Sequence, residues 1–283
     1  MLKRVLFVLI LLFLGGSGLV SVFLSDSGTE TKVSFLDVGQ GDSILIRTEE
    51  GKNILIDGGP DKRVVKELSR QLAWKERSLD IVILTHPHLD HLVGLNSVVE
   101  RFDVGKFFLP PAKSSSPAFK HLIETLSREG VPAIGVVAPL EIEISPACNL
   151  VFLHPKAKNL PYSKLNDVSI VNKLECDDFS FLLTGDIERQ AERDILSQDM
   201  DLESDVLKVA HHGSDTSSKK DFLKAVSPDL AVIQVGEDNN LGHPSLRTIR
   251  NLERIGSLVL RNDKHGTVTV IERDGQWEVV TEN

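Results

Sequence analysis

The chain has 283 residues, of which 41% are hydrophobic and 26% charged, enough to bury the core of one large domain or two small ones. A disordered or fibrous protein is excluded. Its formal net charge of −9 argues against a duplex-binding protein, unless metal ions supply positive charge where a phosphate sits.

From the N-terminus, Lys3 and Arg4 precede an uncharged run from Val5 to Leu24, long enough to span a hydrocarbon core of about 30 Å. With Asp26 and Glu30 behind it, the run suits an N-terminus inside and a domain outside. Residues 1–24 read as a retained membrane anchor; a cleaved signal peptide is the alternative, and secretion would follow from it. No cysteine follows the run, which excludes a lipoprotein anchor. Residues 25–31 are a polar linker, and 32–283 read as one domain with an extracytoplasmic address.

Within the domain, strands are predicted at Lys32 to Leu36, Ser43 to Arg47 and Asn53 to Ile56, the last stopped by Asp57-Gly58-Gly59-Pro60. Val64, Val65, Leu68 and Leu72 share a stripe that predicts a helix over Asp61 to Trp74. The apolar run Asp80 to Leu84 predicts a strand covered on both faces, delivering the chain into Thr85-His86-Pro87-His88-Leu89-Asp90-His91. Further strands are expected at Leu150–Leu153, Ser169–Leu174, Phe179–Leu183, Asp205–Val209 and Leu230–Val235. Helices are expected at Ile187 to Ser197 and Ser245 to Ile255, and another opens near Lys219-Lys220. Strands that end in His- or Asp-bearing loops, with helices between, imply sheets covered by helices and a site where strand ends converge.

Two histidines separated by one residue on a turn can point at one cation, and a carboxylate and histidine just beyond can serve a second. A lone histidine would read as a structural or surface residue; the string His86-x-His88-x-Asp90-His91 at a strand end does not. Cys148 and Cys176 stand outside any zinc-knuckle spacing, which argues against thiolate ligation and leaves a disulfide and two buried thiols both open. Asp37 and Asp42 read equally as turn formers and as residues supporting a site, and Asp57 as a turn cap or an orienter of a ligating histidine. Lys208 and Ser214 flank the His211-His212 pair and could meet a phosphate oxygen, although a lysine on a strand is ordinarily a solvated one, as Lys219-Lys220 are read to be.

The string, followed by Thr184-Gly185-Asp186, resembles the metallo-β-lactamase superfamily, which implies an α/β fold, an αββα sandwich with one or two metals at its edge. More narrowly, the chain resembles the extracytoplasmic hydrolase domain of ComEC-type competence DNA-uptake proteins. The matching pieces are Phe35-Leu-Asp-Val-Gly-Gln-Gly-Asp42, Leu55-Ile-Asp-Gly-Gly59, Asn166-Asp-Val-Ser169, Leu183-Thr-Gly-Asp186, Leu207-Lys-Val-Ala-His-His-Gly-Ser214 and Gly242-His-Pro244, around the His86 string. They run in order over nearly the whole domain.

The resemblance implies two divalent metal ions, zinc first and manganese second. His86 and His88 would hold one, Asp90 and His91 the other; Asp186 would bridge them, and His243 would be the last histidine ligand. Asp90 would also orient the attacking water, and His211 and His212 would act near the metals or a substrate phosphate. One departure stands out. Members carry a histidine ligand on a strand before the bridging Asp, where this chain has Asn166-Asp167-Val168-Ser169, and His154 reads as a loop residue. The expected function is a metal-dependent hydrolase, foremost a phosphodiesterase or nuclease with DNA or another phosphodiester as partner. The alternatives are a small ester, lactam or thioester hydrolase, and a non-catalytic binding module.

Overall fold

In the segment Ser43 to Arg47, Ile44 and Ile46 turn toward one core while Leu45 turns toward another. The same two-residue alternation recurs in Phe181 and Leu183 against Leu182, in Val206 against Leu207, and in Leu230 and Val232 against Ala231 and Ile233. Strands with both faces apolar must be covered on both faces, so each sheet takes a second sheet on one side and helices on the other.

The computed structural model describes residues 30–283 apart from 178, 199 and 274–275. The expected anchor at 1–24 and most of the linker lie outside the described residues, among which no helix is long and apolar enough to cross a membrane. The first half runs β1 (Lys32–Phe35), β2 (Ile44–Arg47), β3 (Asn53–Ile56), α1 (Arg63–Gln71), β4 (Ser78–Ile83), α2 (Leu89–Val99), β5 (Asp103–Leu109), α3 (Pro117–Arg128) and β6 (Ala133–Gly135). The second half begins with β7 (Leu140–Ser145), β8 (Cys148–His154), β9 (Val171–Cys176), β10 (Ser180–Leu183), α4 (Arg189–Leu196) and β11 (Val206–Lys208). It continues with α5 (Lys220–Val226), β12 (Leu230–Ile233), α6 (Leu246–Arg254), β13 (Leu258–Arg261) and α7 (Asn262–His265). A final hairpin, β14 (Val268–Arg273) and β15 (Gln276–Thr281), returns to the first sheet beside β1.

The sheets have the orders β15-β14-β1-β2-β3-β4-β5-β6 and β13-β12-β11-β10-β9-β8-β7. Their inner faces share one core, with Phe35 against Phe181 and Phe108 against Phe152 at ring separations of 6.5 and 5.8 Å. Each such buried side chain contributes about 1.5–3 kcal/mol. Helices α1–α3 cover the outside of the first sheet and α4–α6 that of the second, giving the αββα layering the motif series implies. Cys148 and Cys176, left open by their spacing, face each other across β8 and β9 and form a disulfide. The expected helix to Trp74 ends three residues sooner, at Gln71, because Leu72 turns to extended backbone, and Trp74 is left 92% exposed. The strand expected to stop at Leu153 includes His154, which is fully buried rather than in a loop.

Strands β3 and β4 run parallel, as do β10, β11 and β12. Parallel strands end at a common edge, so Asp57, Thr85 to His91, Asp186, Lys208 to His212 and Gln234 all emerge at one rim of the sandwich. Helix α2 is drawn tightly against that rim. The Gly58 amide donates to the His91 carbonyl (2.7 Å) and the Gly94 amide to the Gly59 carbonyl (3.0 Å). A Cβ on Gly94 would lie 1.9 Å from the Gly58 carbonyl oxygen, and one on Gly41 2.1 Å from that of Asp90. Only glycine admits this approach. Gly94→Ala is expected to destabilise the fold by about 1–3 kcal/mol in urea unfolding, since backbone, not a flexible side chain, must move. An unchanged midpoint would mean that α2 is not seated this way.

Candidate metal centre

The cluster is assembled by the backs of its imidazoles. His91 Nδ1 donates to Asp57 Oδ2 (2.7 Å), and Asp57 is itself held by the Thr85 amide (2.8 Å) and hydroxyl (2.6 Å). His212 Nδ1 donates to the Gln234 carbonyl (2.9 Å). With Nδ1 of both rings engaged, Nε2 of each faces inward, where a cation would take the place of its proton. The His91 and His212 Nε2 atoms lie 3.3 and 3.4 Å from Asp186 Oδ2, and His212 Nε2 is 3.2 Å from Asp90 Oδ2. The ligand atoms of Asp90, His91, Asp186 and His212 are all within 4.8 Å of one another.

On the other side of Asp186 Oδ2, His86 Nε2 stands at 3.9 Å and His211 Nε2 at 4.0 Å. His86 Nε2 meets His88 Nδ1 at 3.0 Å, two ring nitrogens aimed at the same place. His91 Nε2 and Asp186 Oδ1 are buried with no hydrogen-bond partner. Unpartnered buried ligand atoms, in a set of imidazoles and carboxylates, fit divalent cations. His211 and His212 reach inward because both adopt left-handed backbone, φ 52° at each. That conformation costs non-glycine residues of order 1–3 kcal/mol each, and here it turns two successive rings toward one carboxylate.

Burial would depress the His91 and His212 imidazoles, but Asp186 and its neighbouring carboxylates overturn it and raise both well above the usual range. Burial with the nearby His91 holds His86 well below that range. Burial opposes ionisation of Asp90, yet His91 and His212 lower it further than burial raises it. The side chain of Asp90 is 31% exposed, whereas Asp42, Asp57 and Asp186 are at most 3% exposed.

His212 lies with Asp90, His91 and Asp186 in one cluster, and His243 lies beside it, against the His211 ring at 5.6 Å. In place of the missing mid-chain histidine, Asn166 sits between Glu188 Oε1 (3.0 Å) and His211 Nε2 (3.4 Å). Asp167 turns away and accepts the Glu188 and Ala191 amides. Asp37 is the turn former, taking the Gly39 amide (3.1 Å). Lys208 overturns the solvated-lysine and phosphate-clamp readings alike. It is fully buried, paired with Asp42, 3.6 Å from Asp186 Oδ1, and donates to the Gly185 carbonyl. The apolar neighbours Val206, Leu207, Val209 and Ala210 were the signal of its burial; Gln234, which fixes His212, carried none.

His154 is structural. Its Nδ1 donates to the Ser169 carbonyl (2.9 Å), and Nε2 meets the Tyr162 hydroxyl (2.8 Å), which also reaches Asp194.

Residues 36–147 match the model of the metallo-beta-lactamase superfamily. ComE operon protein 3 of Bacillus subtilis is 29% identical over 85% of this chain and 33% of its own length. Competence protein ComA of Neisseria gonorrhoeae is 29% identical over 84% and 32%, and Recombination protein 2 of Haemophilus influenzae 30% over 84% and 28%. The chain therefore spans about a third of the curated relatives it matches. Among solved structures, the metallo-beta-lactamase fold protein YhfI of Bacillus subtilis superposes with a TM-score of 0.55 at 11% identity, covering 89% of this chain and all of its own. CmlA, a diiron beta-hydroxylase from Streptomyces venezuelae, does so at 0.55 and 14%, over 85% of this chain and 54% of its own. These likenesses carry the fold.

Lys208→Met leaves Asp42 and Asp186 with imidazoles alone to offset their charge, and a loss of about 3–5 kcal/mol is expected by urea unfolding; an unchanged stability would show that the ammonium does not neutralise them. Burial pushes His154 down to about 4 from an ordinary 6.5, so the unfolded chain binds that proton first as pH falls. Stability should drop by up to about 3 kcal/mol between pH 6.5 and 4, and His154→Gln should flatten that part of the profile. Parallel profiles for the two proteins would clear His154 of the effect.

Proposed function

We propose that this chain, which carries a metallo-β-lactamase superfamily domain, is a metal-dependent phosphodiesterase acting outside the cytoplasm. The observation that carries the reading is the convergence of imidazole and carboxylate atoms on Asp186 Oδ2, four of them within 4.8 Å of one another. Asp90, His91, Asp186 and His212 would hold one divalent cation, and His86, His88 and His211, with Asp186, the other. Zinc and manganese both suit this donor set. When bound, two such cations would lower the pKa of a water and neutralise charge on the leaving oxygen.

The remaining work falls to the chain. Asp57 and the Gln234 carbonyl hold the His91 and His212 rings in the ligating tautomer. Asp90, the one partly open carboxylate of the group, is placed to orient a water at the rim through a charge-assisted hydrogen bond. His211 and His243 stand at the mouth, where an anionic substrate group would enter. Relatives named for competence and recombination support a nucleic-acid substrate. The uncharged run behind Lys3 and Arg4 supports an extracytoplasmic address, as does a disulfide, which persists in oxidising compartments.

The full chain, supplied with zinc or manganese separately, is tested against bis(p-nitrophenyl) phosphate and against single- and double-stranded DNA. Metal-dependent cleavage should appear, vanish with a chelator, and fall by about 100-fold or more in Asp90→Ala. Hydrolysis confined to carboxylic esters, thioesters or lactams, with phosphodiesters untouched, would replace this reading with the small-molecule one.

A further inference from the structure

A cavity of about 310 Å³ is walled in part by Lys164, Arg189, Arg193, Asp215 and Thr216. His211 links the cluster to two residues of this wall, Thr216 and Glu188. Its Nε2 faces Asp186 (4.0 Å), while its Nδ1 meets the Thr216 hydroxyl at 3.1 Å and lies 3.9 Å from Glu188.

Carboxylates also line this cavity, but most are already engaged. Asp167 accepts the Glu188 and Ala191 amides. Glu188 is held by Lys164 and by Asn166. That leaves Asp215 as the opposing charge in the wall. Arg189 and Arg193 sit four residues apart on α4, hence on one helix face, and both are exposed without a carboxylate partner among the described residues. Across from them, Lys219 donates to the Asp215 carbonyl. Asp215 lines the same cavity as the two arginines, which places Lys219 at its edge; burial first, then Arg247 and Arg189, make its ammonium easier to deprotonate, against the opposing pull of Glu192 and Asp215. Arg247 at the start of α6 is exposed and likewise unpaired among the described residues.

In a chain of net charge −9, Arg189, Arg193, Lys219 and Arg247 outnumber the carboxylates that face them, Asp215 and the buried Glu192. The charge is local to the mouth of the centre. Arginine recognises phosphate oxygens through a planar fork of donors, and a row of such groups follows a chain of phosphates rather than one. We propose that Arg189, Arg193, Lys219 and Arg247 form a backbone subsite that holds the phosphates flanking the attacked one in a nucleic-acid strand. This rests on the phosphodiesterase reading above and adds what that reading lacks: a surface by which an acidic protein grips a polyanion. A small diester with a single phosphate reacts without touching it.

The test uses the full chain, an Arg189→Ala/Arg193→Ala double variant, an Arg247→Ala variant and the Arg189→Lys/Arg193→Lys pair. Binding of a fluorescent single-stranded oligonucleotide is followed by polarisation in chelator over a series of salt concentrations. For every phosphate that a variant no longer neutralises, the slope of log K against log salt should shrink by about 0.7, and the double alanine variant should bind about ten-fold more weakly. The lysine pair should keep the slope, because charge rather than fold is what is removed. With manganese added, kcat/KM on the oligonucleotide should fall about as much as binding does, while bis(p-nitrophenyl) phosphate hydrolysis stays at the wild-type rate. An undiminished slope, no wild-type binding in chelator, or equal losses on both substrates would overturn the subsite. Absence of any phosphodiester hydrolysis would sink the phosphodiesterase reading instead, and the metal-free binding series separates the two failures.

Discussion

The charge balance around Lys208 is the constraint on which the rest of this rim depends. Asp42, Asp57 and Asp186 are almost fully buried within a few ångströms of one another's partners, and Asp90 stands beside them. Carboxylates so crowded cannot all ionise in a low-dielectric interior without compensation. Imidazoles supply part of it, and they change charge with conditions. The Lys208 ammonium, with no exposed surface, is the permanent cation, and it takes Asp42 and one oxygen of Asp186. Burial would lower its affinity for a proton, and the surrounding carboxylates raise it instead. The division of Asp186 follows: Oδ1 faces the lysine at 3.6 Å without a hydrogen bond, and Oδ2 faces the imidazoles.

Neither half of the chain owns the centre. The first sheet contributes Asp57 and the run from Thr85 to His91, and the second contributes Asp186, Lys208, His211, His212 and Gln234. Hydrogen bonds from the Gln234 amide to the Leu36 and Ser43 carbonyls fasten the two sheets at that rim. The shared interior of isoleucines and phenylalanines sets the sheet separation, and the rim geometry is fixed by that separation. A change of one methylene in that interior is therefore felt at the ligand atoms, since cores are close-packed.

Much of this was legible in the residues. Short apolar strands ending in His- or Asp-bearing turns can be read because burial on both faces erases polar positions, so a motif at the strand end stands out. His86, His88, Asp90, His91 and Asp186 are recognisable on that ground without any geometry. What was not legible depends on backbone conformation or on long-range partners. The place of His212 beside Asp90, His91 and Asp186 turns on two consecutive left-handed histidines, which nothing in the side-chain identities announces. The burial of Lys208 is set by Asp42, more than 160 residues away in sequence. Asp274-Gly275 between the alternating runs of β14 and β15 is a hairpin signal in the residues themselves, whereas the pairing of that hairpin with β1 joins the two ends of the domain and has no local mark.

That last pairing has a mechanical meaning. Strand β1 lies between β2 and β14, antiparallel to both, and the described chain enters it at the end opposite the metal centre, where Thr31 lies against Cys148. A force drawn through the segment before residue 30 runs along the strand axis. It loads two ladders of hydrogen bonds together in shear instead of peeling one edge bond by bond. The disulfide at that same end ties β8 to β9 in the other sheet. Any tension applied at that end would be borne far from the residues at the opposite rim.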